Sequence, residues 1–456
     1  MRLTGTVKTE LCNWGCYPKV NTEFETLPLF DIDNFNVTNI SSLIARGNGR
    51  CYGDSALNSN LVLSSLNLNK FISFDSDNGE LVCLSGVLLS DIIDCFVPRG
   101  WFLPVTPGTK LITIGGAVAS DVHGKNHHIA ATFSQHVKWI DILTAENGVV
   151  RCSSTQNSDL FYATCGGQGL TGIILKVCIH LVKISSSLIK QISVKAPTLN
   201  DIMGAFEEYS YLPYSVAWID CLKKGKNMGR SFFMGGDFAK IEELPKKKIS
   251  NPYELKHNLK LNVPFNFPNF ALNPLSIKAF NSLYYFKAKN GTATSFQTID
   301  TFFYPLDSIN NWNRIYGKRG FLQYQFVLPK ESGLGIPKIL ERIARSSLGS
   351  FLAVLKLCGK QPLHEGNLSF PQEGYSLALD FPISNKLFPL LNELDRMVID
   401  FDGRLYLAKD SRTNEMNFKE FYKNKVDEFL AIKSKWDPKD KFTSLQAKRI
   451  GLVLNK

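Results

Sequence analysis

Residues 104–128 read PVTPGTKLITIGGAVASDVHGKNHH, and they are the most informative stretch of the sequence. It holds many small residues and few large ones, so it contributes little side-chain volume of its own. A buried stretch of this composition suits a place where a flat ring system fills the remaining space. The stretch ends in His123, Lys125, His127 and His128, whose side chains suit proton transfer or the binding of an anion.

Two further glycine-rich segments flank this stretch in the chain. Residues 46–55, RGNGRCYGDS, suit either an ordinary turn cluster or a loop whose backbone N–H groups wrap a diphosphate. Residues 167–172, GQGLTG, match G-x-G-x-x-G, but a dinucleotide-binding fingerprint follows a strand and opens a helix. Here the segment precedes the β-branched run 173–182, which predicts a strand. Its glycines therefore indicate close backbone approach to a ligand in another fold.

Composition excludes several classes of protein. The chain has 456 residues, 44% hydrophobic and 20% charged, which is typical of a globular protein of two or three domains. The net charge of +11 is spread along the chain, without zinc-finger spacing or a basic helix with heptads. Nucleic-acid binding is therefore not expected. No carboxylate or thiol completes a ligand set with the three histidines of residues 104–128, so no metal site is predicted.

Cellular location is predicted from cysteine usage and from the absence of a targeting signal. Most of the ten cysteines stand singly in apolar runs, which favours a reducing compartment. The N-terminus lacks the apolar core of a secretion signal, and no run of 18 apolar residues occurs. We expect a cytoplasmic protein, with peripheral membrane contact left open.

Hydrophobic periodicity predicts an α+β fold. Strand-like runs in residues 41–186 alternate with glycine-rich turns, whereas those in residues 188–400 alternate with helices, which predicts an antiparallel sheet covered by helices on one face. The predicted strands are 61–63, 81–84, 139–143, 173–182, 321–327, 351–357 and 375–381. The predicted helices are 87–96, 336–345, 385–400 and 418–434.

Six segments carry a resemblance to a known family. They are RGNGRCYGD at 46–54, the stretch at 104–128, LFYATCGGQGLTGII at 160–174, WNRIYGKRGFLQYQFVLP at 312–329, DFPI at 380–383 and RLYLAKDSR at 404–412. In this order they resemble the FAD-linked oxidases of the vanillyl-alcohol-oxidase and para-cresol-methylhydroxylase (PCMH) superfamily. Within it, the chain is most similar to the decaprenylphosphoryl-β-D-ribose 2′-oxidases. The segments span almost the whole chain.

The resemblance implies an architecture and an activity. It implies a two-subdomain, PCMH-type FAD-binding domain at 1–187, a substrate domain with a helix-covered antiparallel sheet at 188–403, and a C-terminal segment at 404–456 that returns to the FAD domain. It implies hydride transfer to FAD from a secondary alcohol of a sugar or a polyprenyl-phosphate sugar, with a separate short-chain dehydrogenase as partner. The alternatives are an aldonolactone or alditol oxidase that uses oxygen, and an inactive sugar-binding protein.

Site residues carry over from the family motifs by position. Lys409, His123 and Tyr52 are implied as catalytic. The implied cofactor-binding residues are Gly47, Asn48, Gly49, Arg50, Cys51, Tyr52, Thr109, Thr113, Gly115, Gly116, Ala117, Ser120, His123, Gly124, Asn126, Gly169, Gly172, Ile174, Tyr406, Ala408 and Lys409. The implied substrate-binding residues are Lys125, Trp218, Phe303, Gln323, Gln325, Lys356 and Ala378, with Leu352 as a further apolar wall.

Two departures from the family pattern affect these expectations. Many relatives tether the flavin to a histidine where this chain has Arg50, so we predict a non-covalent FAD. Relatives often carry a cysteine at the position of Ala378, so the shape of the substrate pocket is expected to differ.

Two features can be interpreted from the residues themselves. Lys409 follows the apolar run 405–408, so a partly buried ammonium group is expected, with its pKa lowered or with an anionic partner. Residues 264–287, PFNFPNFALNPLSIKAFNSLYYFK, mix aromatic residues with lysine. We interpret this stretch as a mobile lid that contacts a membrane, against the alternative of an insertion packed on the substrate sheet.

Overall fold

The first sheet begins the chain and carries the first glycine loop. The computed structural model describes residues 5–454, apart from 30–31, 33–34, 257–259, 269–270, 334, 351 and 363. The strand order of the first sheet is β1-β2-β4-β3. The strands are β1 (Val7–Cys12), β2 (Lys19–Thr26), β3 (Ile44–Arg46) and β4 (Leu61–Ser64). Since β3 ends at Arg46, the loop at 46–55 leaves the sheet from a strand end.

A second sheet holds the other two glycine-rich segments. Its strand order is β5-β6-β10-β8-β9, and β7 pairs with β11 beside it. The strands are β5 (Phe71–Asp75), β6 (Glu80–Leu84), β7 (Trp101–Phe102), β8 (Val137–Leu143), β9 (Val149–Ser153), β10 (Ile173–His180) and β11 (Val182–Lys183). The helices are α1 (Leu89–Phe96), α2 (Ile114–Ala119), α3 (His127–Ala130) and α4 (Ser158–Thr164). The GQGLTG segment precedes β10, as its sequence predicts.

An eight-stranded antiparallel sheet dominates the second half of the chain, in the order β16-β12-β14-β13-β19-β20-β18-β21. The strands from here on are β12 (Leu188–Ala196), β13 (Tyr214–Ile219), β14 (Ser231–Phe238), β15 (Leu261–Asn262), β16 (Thr292–Thr298), β17 (Ile309–Asn310), β18 (Phe321–Pro329), β19 (Ala353–Cys358), β20 (Gly374–Pro382) and β21 (Arg404–Leu405). The helices are α5 (Leu199–Glu208), α6 (Lys246–Ile249), α7 (Pro274–Lys287), α8 (Ile299–Phe303), α9 (Gly335–Ser346) and α10 (Leu387–Asp400). β15 and β17 form a separate parallel pair.

Amphipathic helices give the large sheet one covered face. The buried residues of α9 recur at helical spacing, as Ile336, Ile339, Leu340 and Ile343. The buried residues of α10 also recur at helical spacing. Because side chains alternate across a strand, the residues of β18, β19 and β20 that point away from these helices are left to form a cavity wall. The α+β class expected from the sequence is confirmed.

Two sequence predictions about element boundaries are wrong. The predicted helix at 418–434 is two helices, α11 (Glu415–Tyr422) and α12 (Lys425–Trp436), because Lys423 between them adopts a φ of +51°. The predicted strand at 173–182 divides after His180, where the chain leaves β6 and Val182 pairs with β7.

The C-terminal segment packs back onto the first sheet. Phe442 bridges Leu43, and α13 (Leu445–Ile450) presents Arg449 to two buried carboxylates. The Arg449 guanidinium lies 2.7 Å from Asp54 and 2.9 Å from Asp410. These carboxylates raise the pKa of Arg449, although burial opposes them. The pairs therefore hold the turn that carries Lys409 against the first glycine loop.

We predict that Arg449→Met lowers the free energy of unfolding by about 3 kcal/mol, because it leaves two buried carboxylates without their cation. Urea unfolding followed by circular dichroism measures this change. Lys439→Met is the matched control, since Lys439 pairs with Glu146 on the surface, and its cost is expected to stay below about 1 kcal/mol. Equal losses in the two variants would contradict the prediction.

Candidate active site

One cavity of about 510 Å³ lies between the glycine-rich loops and the open face of the eight-stranded sheet. Residues 47–52, the 104–128 stretch and the GQGLTG segment form one part of its wall. Alternate residues of β13, β18, β19 and β20 form another. Segments far apart in sequence therefore meet around one space.

The first glycine loop presents unpaired backbone donors to this cavity. The N–H groups of residues 47–51 have no hydrogen-bond acceptor among the described residues. Gly49 adopts a φ of +59°, which favours glycine, and Asn48 Nδ2 donates to the Leu111 carbonyl over 2.7 Å. This second contact fixes the loop against the 104–128 stretch. Consecutive free N–H groups of this kind form a concave site for an anion such as a diphosphate.

The 104–128 stretch approaches the cavity with its backbone. Thr113 caps α2 by accepting from Gly116 N, which turns the chain along the cavity wall. Gly115 packs so closely that a Cβ there would lie 2.8 Å from Ser85 Cβ. The small residues thus let the stretch pack tightly on the second sheet.

His123 is a neutral hydrogen-bond donor at the wall. Its Nε2 lies 3.0 Å from the Gln325 amide nitrogen, which can only donate, so the proton of the neutral ring sits on Nδ1. Burial, and then Lys356, hold the pKa of His123 well below its usual range. Nδ1 is buried and has no partner among the described residues. A ligand with an acceptor atom would satisfy it.

Lys409 lies where the two walls meet. Its Nζ sits 3.8 Å from the centroid of the Tyr52 ring, in a turn whose amides bond to the Tyr406 carbonyl. Burial lowers the pKa of Lys409 to about 7, while the Asp380 carboxylate opposes that shift. Burial also raises the pKa of Asp380 to about 7. A pKa near 7 suits a group that transfers protons at physiological pH.

Asp380 belongs to a polar row that crosses the sheet. Gln323 and Asp380 are register partners, and Gln323 Nε2 donates to Asp380 Oδ1 over 2.5 Å. Gln325, two residues further on, faces the same cavity and also donates to Ser376 Oγ over 3.2 Å. The prediction that the two glutamines share one face is confirmed by this geometry.

Apolar residues line another part of the same wall. Trp218, Leu352 and Phe303 lie there as expected, and Tyr284 of α7 packs on Trp218 with ring centroids 4.9 Å apart. Phe280 and Tyr284 are also 42% and 38% exposed, so they lie at the cavity mouth. The cavity therefore suits a molecule with one polar and one apolar portion.

Most of the predicted site residues line this cavity, and three do not. Ala117 is a fully buried residue of α2 that packs in the core. The Asn126 side chain donates to the Pro104 carbonyl over 2.7 Å, and Gly124 packs against Asn126 and Thr106. These residues shape the 104–128 stretch without lining the cavity.

Several residues that line the cavity or lie next to its lining were not predicted from the sequence. Asp307 accepts from Thr109 Oγ1 and Lys110 N, and lies near Arg50, whose guanidinium stacks 3.9 Å from the Trp14 ring centroid. Neither Asp307 nor Trp14 stands in a recognisable local pattern. Asp380 lies in the DFPI segment, so that segment was the available signal.

The residues fit FAD. The free N–H groups of residues 47–51 suit its diphosphate, the unpartnered His123 Nδ1 suits a ring acceptor, and the cavity wall has little side-chain volume along the glycine segments. Among the described residues, no cluster of three His, Cys, Asp or Glu side chains suits a metal ion. Nor does a helix in that part of the chain have the length and apolarity to cross a membrane.

Comparison with known proteins agrees with this fit. Residues 36–153, which contain the first two glycine segments, match the family model described as FAD binding domain. L-Gulonolactone oxidase of Mus musculus is 27% identical over 138 residues, which is 30% of this chain and 31% of that protein. Fold and site define an FAD-dependent oxidoreductase.

Two relatives cover most of the chain. Decaprenylphosphoryl-β-D-ribose oxidase of Mycolicibacterium smegmatis is 39% identical over 417 residues, 90% of this chain and 89% of that protein. An uncharacterized protein in the mprA 5′ region of Streptomyces coelicolor is 30% identical over 374 residues, 80% of this chain and 100% of that protein. The chain belongs to the family of decaprenylphosphoryl-β-D-ribose oxidases.

We predict that the flavin is released when the purified protein is precipitated with acid. The Arg50 guanidinium is not a nucleophile, and burial raises the pKa of the neighbouring Cys51 thiol, which keeps it in the unreactive protonated form. The visible spectrum of the supernatant measures the release. Yellow colour retained in the washed pellet would show a covalent bond and contradict the prediction.

Proposed function

We propose that this enzyme oxidises a secondary alcohol of a sugar carried on a polyprenyl phosphate, and that Lys409 is its base. The observation that carries the proposal is the position of Lys409, on the Tyr52 ring and in the field of Asp380. The name of the Mycolicibacterium smegmatis relative supports the substrate class. FAD, when bound, accepts the hydride of the carbinol carbon.

Lys409 accepts the proton of the substrate hydroxyl, and Asp380 stabilises the ammonium group that results. With a pKa of about 7, a large share of Lys409 is neutral at physiological pH and accepts that proton on Nζ. The resulting ammonium group is stabilised by the Tyr52 ring face and by Asp380. His123 stays neutral, and its Nδ1–H would donate to the cofactor.

The sheet face orients the sugar. Gln323 donates to Asp380, and Gln325 contacts His123 and Ser376. Both amides therefore line the cavity already fixed in place, and an amide oxygen can accept from a sugar hydroxyl. Preorganised acceptors of this kind select among sugar hydroxyls, because a hydroxyl that is missing leaves a polar group unpaired. Ala378, the register partner of Gln325, leaves room beside it for the ring.

These contacts support a different role for each of three parts of the chain. Residues 1–187 hold the cofactor, residues 188–403 hold the substrate, and residues 404–456 bring Lys409 back to the cofactor side. All ten cysteines are free, which supports a cytoplasmic location. A ketone product would be reduced by a separate short-chain dehydrogenase.

An oxygen-using lactone or alditol oxidase is the second candidate. Its support is the likeness to L-gulonolactone oxidases, which covers about a third of the chain. The two relatives with coverage of 80% or more do not carry that name. The first candidate is therefore the better supported.

We predict that Lys409→Met lowers the rate of flavin reduction by roughly 10²- to 10⁴-fold with FAD still bound, since it removes the base alone. In the unmutated enzyme the rate should rise with pH through about 7, as Lys409 loses its proton. Asp380→Asn should shift this rise in rate to lower pH by about one pH unit, because the substitution removes the carboxylate that favours the ammonium form of Lys409. Stopped-flow absorbance at the flavin band measures all three.

Two outcomes would contradict this assignment. A rate that falls as pH rises through 7 would make Lys409 a required cation and not a base. An unmutated enzyme that binds FAD but is not reduced by any sugar or lipid-linked sugar would favour an inactive sugar-binding protein.

The apolar surface at the cavity mouth is proposed to rest on a membrane. Within the 264–287 stretch, Asn269 and Phe270 lie outside the described residues, and α7 forms residues 274–287. Leu275, Leu283 and Phe286 of α7 are 78%, 73% and 70% exposed. Lys278 and Lys287 are exposed on the same helix, and cations beside apolar side chains suit an anionic bilayer surface. A lipid-linked sugar would then enter past Phe280 and Tyr284.

We predict that the double variant Leu283→Asp, Phe286→Asp lowers partitioning onto vesicles of anionic phospholipid by roughly tenfold or more, because two apolar side chains lose their burial in lipid. Co-sedimentation measures the bound fraction. Met416→Asp is the control, since Met416 is 75% exposed on α11, far along the chain from this surface. Equal binding of all three proteins would remove the membrane proposal.

A further inference from the structure

Lys356 is a cation of the cavity lining that contacts no acceptor in the part of the chain that the structure describes. It lies on β19, two residues after Val354 and four after Leu352, so all three side chains face the cavity. Lys125, by contrast, donates to the Phe302 carbonyl and lies 4.6 Å from the Phe302 ring centroid. Among the described residues, Lys356 makes no hydrogen bond or ion pair.

The charge around Lys356 is also unbalanced. Among the described residues that line the cavity, the charged side chains are Arg50, Lys125, Lys356 and Lys409 against one carboxylate, that of Asp307. Asp307 is engaged by Thr109 and Lys110 and lies near Arg50. Burial lowers the pKa of Lys356 itself, and its charge in turn lowers the pKa values of Lys125 and Lys409. A second anion near Lys356 would relieve this repulsion.

Ser376 places a hydroxyl next to this ammonium group. Lys356 and Ser376 are register partners on β19 and β20, and both line the cavity. Ser376 Oγ accepts from Gln325 Nε2, and its own O–H donates to no acceptor among the described residues. An ammonium and a hydroxyl held side by side are the donor set that an oxyanion needs.

We infer that Lys356 and Ser376, with Lys125 nearby, bind the phosphate group of the substrate. The inference rests on the proposed function and adds to it the place at which the phosphate group of the substrate is bound. The N–H groups of residues 47–51 would hold the diphosphate of the cofactor, which would leave Lys356 to a second anion. Val354 and Leu352 continue from Lys356 along β19 and contact the apolar portion next to the phosphate.

The test uses the flavin-loaded enzyme and three small probes: hexyl phosphate, hexanoate and hexanol. Isothermal titration calorimetry gives the Kd of each. Lys356→Met should weaken hexyl phosphate binding by roughly tenfold or more, because it removes a charge-assisted hydrogen bond. Lys356→Arg should restore most of the affinity, and hexanol should bind all variants equally.

Lys360→Met is the matched control, because Lys360 is an exposed lysine four residues along the chain and carries the same charge. It should leave hexyl phosphate binding unchanged. Flavin content and thermal unfolding of each variant show that the fold is intact.

Three results would overturn the inference. Unchanged hexyl phosphate binding in Lys356→Met would place the anion elsewhere. Hexanoate that binds as tightly, with the same dependence on Lys356, would make the site one for carboxylates. Loss of FAD in Lys356→Met would assign the lysine to the cofactor. If phosphate binding depends on Lys356 but no sugar reduces the flavin, the phosphate site stands and the proposed reaction fails.

Discussion

The cost of holding ammonium groups away from bulk water is the constraint on which this site depends. Lys125, Lys356 and Lys409 face one cavity, and each has its pKa lowered first by burial. Their contacts are the carbonyl of Phe302, the Tyr52 ring and the field of Asp380. A lysine pKa near 7 is useful to a dehydrogenase, because the amine can then accept and release a proton at physiological pH.

The scaffold can be understood as the means of holding these groups in place. Lys409 lies in a turn, and Arg449 joins the next residue, Asp410, to Asp54 at the glycine loop. The polar row of Gln323 and Asp380 is fixed by strand register. Packing and ion pairs distant from the cavity thus set the electrostatics within it, which is how preorganised sites lower a barrier.

The two sides of the cavity differ in the kinds of groups that they present. The glycine segments carry little side-chain volume and free backbone donors, which suit a cofactor that is the same in every reaction. The sheet face carries amides, lysines and aromatic rings, which suit discrimination among substrates. The likeness to lactone oxidases is confined to about a third of the chain, whereas the likeness to the decaprenylphosphoryl-β-D-ribose oxidase reaches 90% of it. This contrast agrees with a common cofactor side and a divergent substrate side.

Local sequence patterns were enough for the α+β class and the faces of the strands, and the family resemblance added the residues expected on the cofactor side. These depend on local properties: small residues at 104–128, glycines at 46–55, and the alternation that put Gln323 and Gln325 on one face. Only the tertiary structure brought Asp380 near Lys409, paired Lys356 with Ser376, and placed Asp307 and Trp14 at the cavity. It also showed that Ala117, Gly124 and Asn126 support the stretch from outside the cavity. These relations arise from strand register and long-range packing, which no local pattern encodes, because the partners are tens to hundreds of residues apart.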